Sequence, residues 1–380
     1  MRLLFILLLS ISLFACGSGK KSLIPENIPA DKPKVTNALS LKKVWSRSIG
    51  KKFNDDSEGF VIKTQDDILY VASQNGIISA IDTSGKQLWK VKSKTPLSAG
   101  VGIGEGLVLV ADVNGKVHAY LMEDGKLFWQ QQVSSEVLTA PAISNGVVVV
   151  RSVDGKVAAL EAKTGDIRWT IQRDLPRLSL RGESQPLLVQ NVAVVGFPSG
   201  NLLAVRLEDG GVIWDVPVST PQGSNEIERL VDVFSQPLLI DQLLIANTFQ
   251  GNIIALDIPT RQLRWRTEMS SYQNLSSDRL LVYLTDENAN ITALDATTGN
   301  EVWSKDYLRY RSVSNPSIIG SYLLVFGNDK DLYLIDKSAG ELAGSYPFSA
   351  GRVLGNPVVD GNRFYILTSK GDLQAFELGQ

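Results

Sequence analysis

The chain has 380 residues, with 38 basic against 40 acidic side chains, one Cys and one His. So balanced a charge carries no electrostatic footprint for nucleic acid. A lone Cys excludes an internal disulfide framework, and a lone His cannot assemble a zinc site by itself.

The first segment reads MRLLFILLLSISLFACGSGK. Arg2 supplies a basic start, and residues 3–14 form an apolar run of 12, too short to span a bilayer as a helix but suited to a secretory signal. Leu13-Phe14-Ala15-Cys16, followed by Gly17, resembles a bacterial lipobox. The resemblance implies that residues 1–15 are removed and that Cys16 is acylated, palmitate included, on its sulfur and its new amino group. An ordinary signal peptide with a chance Cys is the alternative, but a chain otherwise free of thiols has kept this one. Several acyl chains would anchor the protein firmly, where one chain holds only marginally. Gly17, in place of Asp, resembles the sorting signal of an outer-membrane lipoprotein facing the periplasm. Residues 16–38 then read as a lipidated Cys and a flexible tether, semi-extended by Pro25, Pro29 and Pro33.

Residues 39–380 are occupied by a repeat. Gly115-KVHAYLMEDGKLF-Trp129 and Gly155-KVAALEAKTGDIR-Trp169 share Gly, a small Ala, a second Gly six residues after the Ala, and Trp four residues later. The pattern returns at Gly76 to Trp89, Gly200 to Trp214, Gly251 to Trp265 (with Arg261 at the second Gly) and Ala289 to Trp303. The Lys330 to Gly344 unit loses the first Gly, the Ala and the Trp; the last unit, from Gly371, ends before its Trp. The missing Trp lies at the other end, in Leu41-Lys42-Lys43-Val44-Trp45. Short apolar runs alternate with Asn-Gly and Asp-Gly turns, which suit tight hairpins, and no helical period intervenes. Four short strands per unit of about 40 residues indicate a propeller blade. The expected fold is therefore all-β: an eight-bladed β-propeller of four-stranded blades, closed by an N-terminal strand that joins the last blade. His118, mid-strand, reads as a half-exposed strand residue.

The connectors are uneven. From Trp to the Pro opening the next inner strand, Trp129 to Pro141 spans 12 residues, and Trp303 to Pro316 spans 13. Trp169 to Pro186 spans 17 and Trp214 to Pro237 spans 23. Two neighbouring blades thus carry the long loops, which should emerge side by side. The first holds Leu175, Leu178 and Leu180 beside Arg173, Arg177 and Arg181; the second holds Ile227, Leu230 and Phe234 beside Glu226, Glu228 and Asp232. Either the loops pack on each other through Arg–carboxylate pairs, or they present apolar anchors with a charged rim to a protein partner. The two readings are compatible.

The A-x5-G-x3-W spacing resembles the tryptophan-docking repeats of pyrroloquinoline quinone (PQQ) dehydrogenases, over residues 41–380. Those enzymes use a Ca²⁺ site, an Asp base and often a vicinal disulfide; here there is no Cys pair and no capping insertion, so no catalytic residue, cofactor or metal is expected. Lipobox, proline tether, repeat, and the strings LSLRGES and EIERLVDV together resemble the BamB family, lipoprotein subunits of the outer-membrane β-barrel assembly machinery (BAM complex). That resemblance implies a non-catalytic scaffold, monomeric within the complex, that docks on the POTRA domains of BamA, assists insertion of outer-membrane proteins and contacts them while unfolded. The implied contacts fall on Leu178, Leu180, Arg181 and Asp232, with Leu175 and Arg177 alongside; Phe234 stands where the family has a second acidic contact. A PQQ-dependent dehydrogenase-like protein, or a surface lipoprotein binding glycan or another protein, are the alternatives.

Overall fold

The computed structural model describes residues 27–54, 59–180, 184–328 and 330–379. The signal segment, Cys16 and Arg181 lie outside the described residues. Among the described residues every regular element is a strand. They form eight four-stranded antiparallel sheets, seven of which follow the chain from inner to outer strand. Blades 1 to 7 cover residues 63–92, 97–132, 142–172, 187–217, 238–268, 276–305 and 317–347. Blade 8 takes Val353–Asp360, Arg363–Thr368 and Asp372–Gly379 from the C-terminal end and its outer strand, Ser40–Ser48, from the N-terminal end. Trp45 there lies opposite Ala375, so the closure expected from the orphan Trp is present. Apolar layers between neighbouring sheets make the core: Leu109, Val117 and Trp129 of blade 2, for instance, pack with Val148, Val150 and Leu160 of blade 3.

The geometry explains the repeat. The small Ala of each unit is the cross-strand partner of its Trp, as in Ala80 with Trp89, Ala119 with Trp129 and Ala159 with Trp169. The indole then leans onto the following blade, and its N–H donates to a backbone carbonyl there. Trp45 reaches Thr83 at 3.0 Å, Trp89 reaches Met122 at 2.8 Å, Trp129 reaches Ala162 at 2.7 Å and Trp169 reaches Leu207 at 2.9 Å. Beneath each ring sits the second Gly of the blade receiving it. Gly165, at φ +83°, would place a Cβ 2.7 Å from the Trp129 ring. Only a residue without a side chain satisfies both the left-handed backbone and the close ring.

Two blades depart from this pattern. In blade 5 the second Gly is Arg261, at φ +58°. Trp214, which should dock there, makes no hydrogen bond to a carbonyl among the described residues; it lines a small apolar crevice with Val216, Leu256, Ile258 and Arg261. In blade 7 Leu334 faces Gly344, so the small and large partners are exchanged. Tyr346 folds over Gly344 and supplies the missing polar handle, its hydroxyl donating to the Leu39 carbonyl at 2.6 Å. His118 is buried rather than half-exposed, because its ring bonds the buried Asp112 carboxylate at 2.9 Å.

The ring has two ends. The turns between first and second strands meet those between third and fourth strands at one end, as in Met122 N–H to Gly106 and Ala162 N–H to Gly146. The turns between second and third strands meet the inter-blade connectors at the other, as in Arg173 N–H to Gly155 and Val218 N–H to Gly200. Both long connectors leave from this second end, the connector face.

Candidate functional site: the paired connectors of blades 3 to 5

The first connector leaves blade 3 after Ile167–Gln172, and the second leaves blade 4 after Val212–Pro217. Neither forms a strand, yet both are tied down. The Leu180 N–H donates to Asp232 Oδ1 at 2.9 Å, and Ser184 Oγ donates to the Ser235 carbonyl at 2.7 Å. At the base of the loops the Arg173 guanidinium pairs with the Asp215 carboxylate, which also accepts from Asn201. The Arg–carboxylate pair thus ties the first connector to the outer strand of blade 4, and the two connectors meet through the Leu180–Asp232 and Ser184–Ser235 bonds.

The second connector is held by burying Leu230, Val231 and Val233, while the Val233 N–H donates to Phe197 and the Phe249 N–H to the Asp232 carbonyl. Gly196 is needed below, since a Cβ there would lie 2.4 Å from Val233 Cγ1. Ser235 continues inward to Asn247, whose amide donates to the Ser271 and Gln273 carbonyls at 2.8 and 3.0 Å. Arg151 of blade 3 is 2% exposed, donates to the Gly196 carbonyl at 3.2 Å and lies over the Phe197 ring.

Asp232 is 3% exposed, so its carboxylate faces inward onto the first connector rather than outward. Oδ2 finds no hydrogen-bond partner among the described residues. Burial pushes the Asp232 carboxyl up to about 6; the Leu180 N–H and the charge of Arg151 pull against that shift and lose. The raised value means the folded protein binds a proton between about pH 4 and pH 6 that the unfolded chain releases. Stability from this group is present below that window and lost as pH rises through 6. Asp232→Asn keeps an acceptor for Leu180 and removes the buried charge. We expect it to stabilise the fold by about 1–3 kcal/mol at pH 7.5 and by nothing at pH 4. Urea midpoints at the two pH values check this; an equal gain at both would rule out the buried charge as the cause.

What remains outside is apolar with charge around it. Leu175 and Leu178 are 37% and 42% exposed, and Ile227 is 65% exposed. Arg177, Glu226 and Arg229 on the same connectors are exposed, while Leu180 and Phe234 are half-buried. Leu175 leans over the blade 3 turn, close to Gly155. The structure brings Leu180 and Asp232 into contact, with Leu175, Arg177 and Leu178 on the first of the two linked connectors and Phe234 on the second. Sequence reasoning missed the support beneath: Arg151, Ser184 and Asn247. A signal existed, because Arg151 and Asn247 end strands at register positions filled by Ala72 and Ala111 in blades 1 and 2. Among the described residues no three His, Cys, Asp or Glu side chains are grouped to hold a metal ion.

Fold and site together define a docked-tryptophan β-propeller with a braced, partly apolar loop face on one end. A family model described as outer membrane protein assembly factor BamB matches residues 74–305 and 289–379. Outer membrane protein assembly factor BamB of Kangiella koreensis is 40% identical over 98% of this chain and 96% of its own length. The chain belongs to the BamB family. Among solved structures, BamB from Moraxella catarrhalis superposes with a TM-score of 0.81 at 24% identity, covering 89% of this chain and all of that one. Quinohemoprotein alcohol dehydrogenase from Comamonas testosteroni gives 0.70 at 14% identity over 90% of this chain and 77% of its own, a likeness of fold alone.

Proposed function

We propose that this protein is a non-catalytic scaffold of the outer-membrane β-barrel assembly machinery. It is held by acylated Cys16 on the periplasmic side of the outer membrane and docks on the POTRA domains of BamA through the paired connectors. It assists insertion by fixing the position of its partner, and unfolded outer-membrane proteins meet it there. One observation carries the docking assignment: Leu175, Leu178 and Ile227 are exposed on loops that Asp232, Ser184 and Arg173 hold in place. A rigid apolar patch with a charged rim loses little conformational entropy on binding. Membership of the BamB family supports the choice of partner.

The test is capture from detergent-solubilised envelopes with the tagged full chain, read by mass spectrometry. BamA should be the most enriched protein. Recovery of BamA no higher than with an unrelated tagged lipoprotein would overturn the reading. Bound-quinone absorbance after adding PQQ and Ca²⁺ would overturn the non-catalytic part.

A further inference from the structure

The chain ahead of the first strand is not free of the ring. The Ala30 N–H donates to the Arg309 carbonyl at 2.9 Å, and Arg311 Nε donates to the Ala30 carbonyl at 2.9 Å. Lys32 pairs with the buried Asp331 carboxylate at 2.6 Å. Asn37 Oδ1 accepts the Ser345 N–H at 2.8 Å, and the Ala38 N–H donates to the Ala343 carbonyl at 2.8 Å. Leu39 then accepts the Tyr346 hydroxyl and packs with Phe348, Phe364 and Phe376.

These contacts have a direction. Arg309 and Arg311 lie in the connector between blades 6 and 7, and Asp331 opens the third strand of blade 7 just after its turn; both are on the connector face. Ala343 and Ser345 lie along the outer strand Leu342–Pro347, and Ser40 pairs with Gly379 at the far end. Read from Ser40 backwards, the chain climbs the outer edge of blade 7 and arrives at the connector face by Ala30. Blade 7 is the blade whose repeat has lost its first Gly, its Ala and its Trp, and Asp331 and Tyr346 there serve the strap instead.

We propose that residues 30–39 are a strap that brings the membrane-anchored end of the chain out on the connector face. That face, with the loops of blades 3 to 5, is thereby turned towards the bilayer. From Cys16 to residue 39 a fully extended chain reaches at most roughly 75 Å; with docking from Ala30 onward, residues 16–29 are left to span at most about 46 Å. The strap thus shortens the leash and moves its point of attachment by the height of a blade. The partner's module would then lie between ring and membrane, rather than on the side facing away. The inference rests on the proposed function only for the acyl anchor at Cys16, which the mass of the N-terminal peptide checks separately. Loss of BamA capture with orientation intact would count against the partner alone.

Two single-cysteine variants of the lipidated protein on phospholipid vesicles test it: Ser349→Cys on the connector face of blade 7 and Ala339→Cys at the opposite end. With a fluorophore on each and a quencher on the lipid headgroup, quenching at position 349 should exceed that at 339 by about twofold or more. Adding Lys32→Glu with Asn37→Ala should collapse the difference. Equal quenching in the parent protein, stronger quenching at 339, or a difference that survives the strap substitutions would each overturn the proposal. Hydrogen exchange gives a second reading without substitution. The Ala30 and Ala38 amides should be protected at least about tenfold over an unstructured peptide; free exchange at both would refute the strap.

Discussion

Leu178→Ala combined with Arg181→Glu should reduce BamA capture at least about 100-fold while leaving the melting transition in place. Leu178 is 42% exposed, and in a complex that part of the side chain would be covered, so losing it should cost about 1 kcal/mol of binding. Reversing a charge at an interface adds a like-charge penalty of about 2 kcal/mol or more, and every 1.4 kcal/mol is tenfold in affinity. Arg181 is chosen because the family resemblance puts a cationic contact there. Leu180→Ala is the informative control: the half-buried side chain changes, but its N–H still bonds Asp232. Binding assays with the purified POTRA domains, alongside urea titrations, separate the effects. Undiminished capture by the double variant would sink the site assignment.

The second large effect concerns the blade seams. Gly165→Ala should destabilise the ring by about 3 kcal/mol. Part of the cost is an L side chain at φ +83°, about 1–2 kcal/mol. The rest comes from driving a methyl group to 2.7 Å from the Trp129 ring, which would lift the indole from its bond to Ala162. Blade 5 offers the reverse experiment. Arg261→Gly removes a strained backbone position and clears the seat for Trp214. It should stabilise by about 1 kcal/mol and shift Trp214 emission to shorter wavelength. Urea midpoints and fluorescence read both variants. No loss at Gly165, or a loss at Arg261, would show that indole docking does not hold the blades together.

The propeller was legible in the sequence because its blades are held by a few residues at fixed spacing. Ala, Gly and Trp recur since each meets the next blade at one defined contact, and Trp45 could be assigned to blade 8 from the gap it fills. The two long connectors were legible by counting. Their inner construction was not. That Asp232 faces inward depends on how deeply residues 230–233 sink against blades 4 and 5, and no local pattern encodes that depth. The docking of residues 30–39 was also out of reach: a proline-rich polar stretch looks the same free or tied down. Only the degenerate unit between Lys330 and Gly344, read as decay of the repeat, hinted at a second use for that blade.

The closure of blade 8 fixes the order in which the molecule can be finished. Among the described strands Ser40–Ser48 is made first, yet its partner Asp372–Gly379 is made last. Until those final residues arrive, the first strand has nothing to pair with and the ring stays open at both edges. Pairings so distant along the chain form slowly. A chain interrupted before Asp372 would carry an unfilled seam beside Ser40–Ser48 rather than a shortened ring.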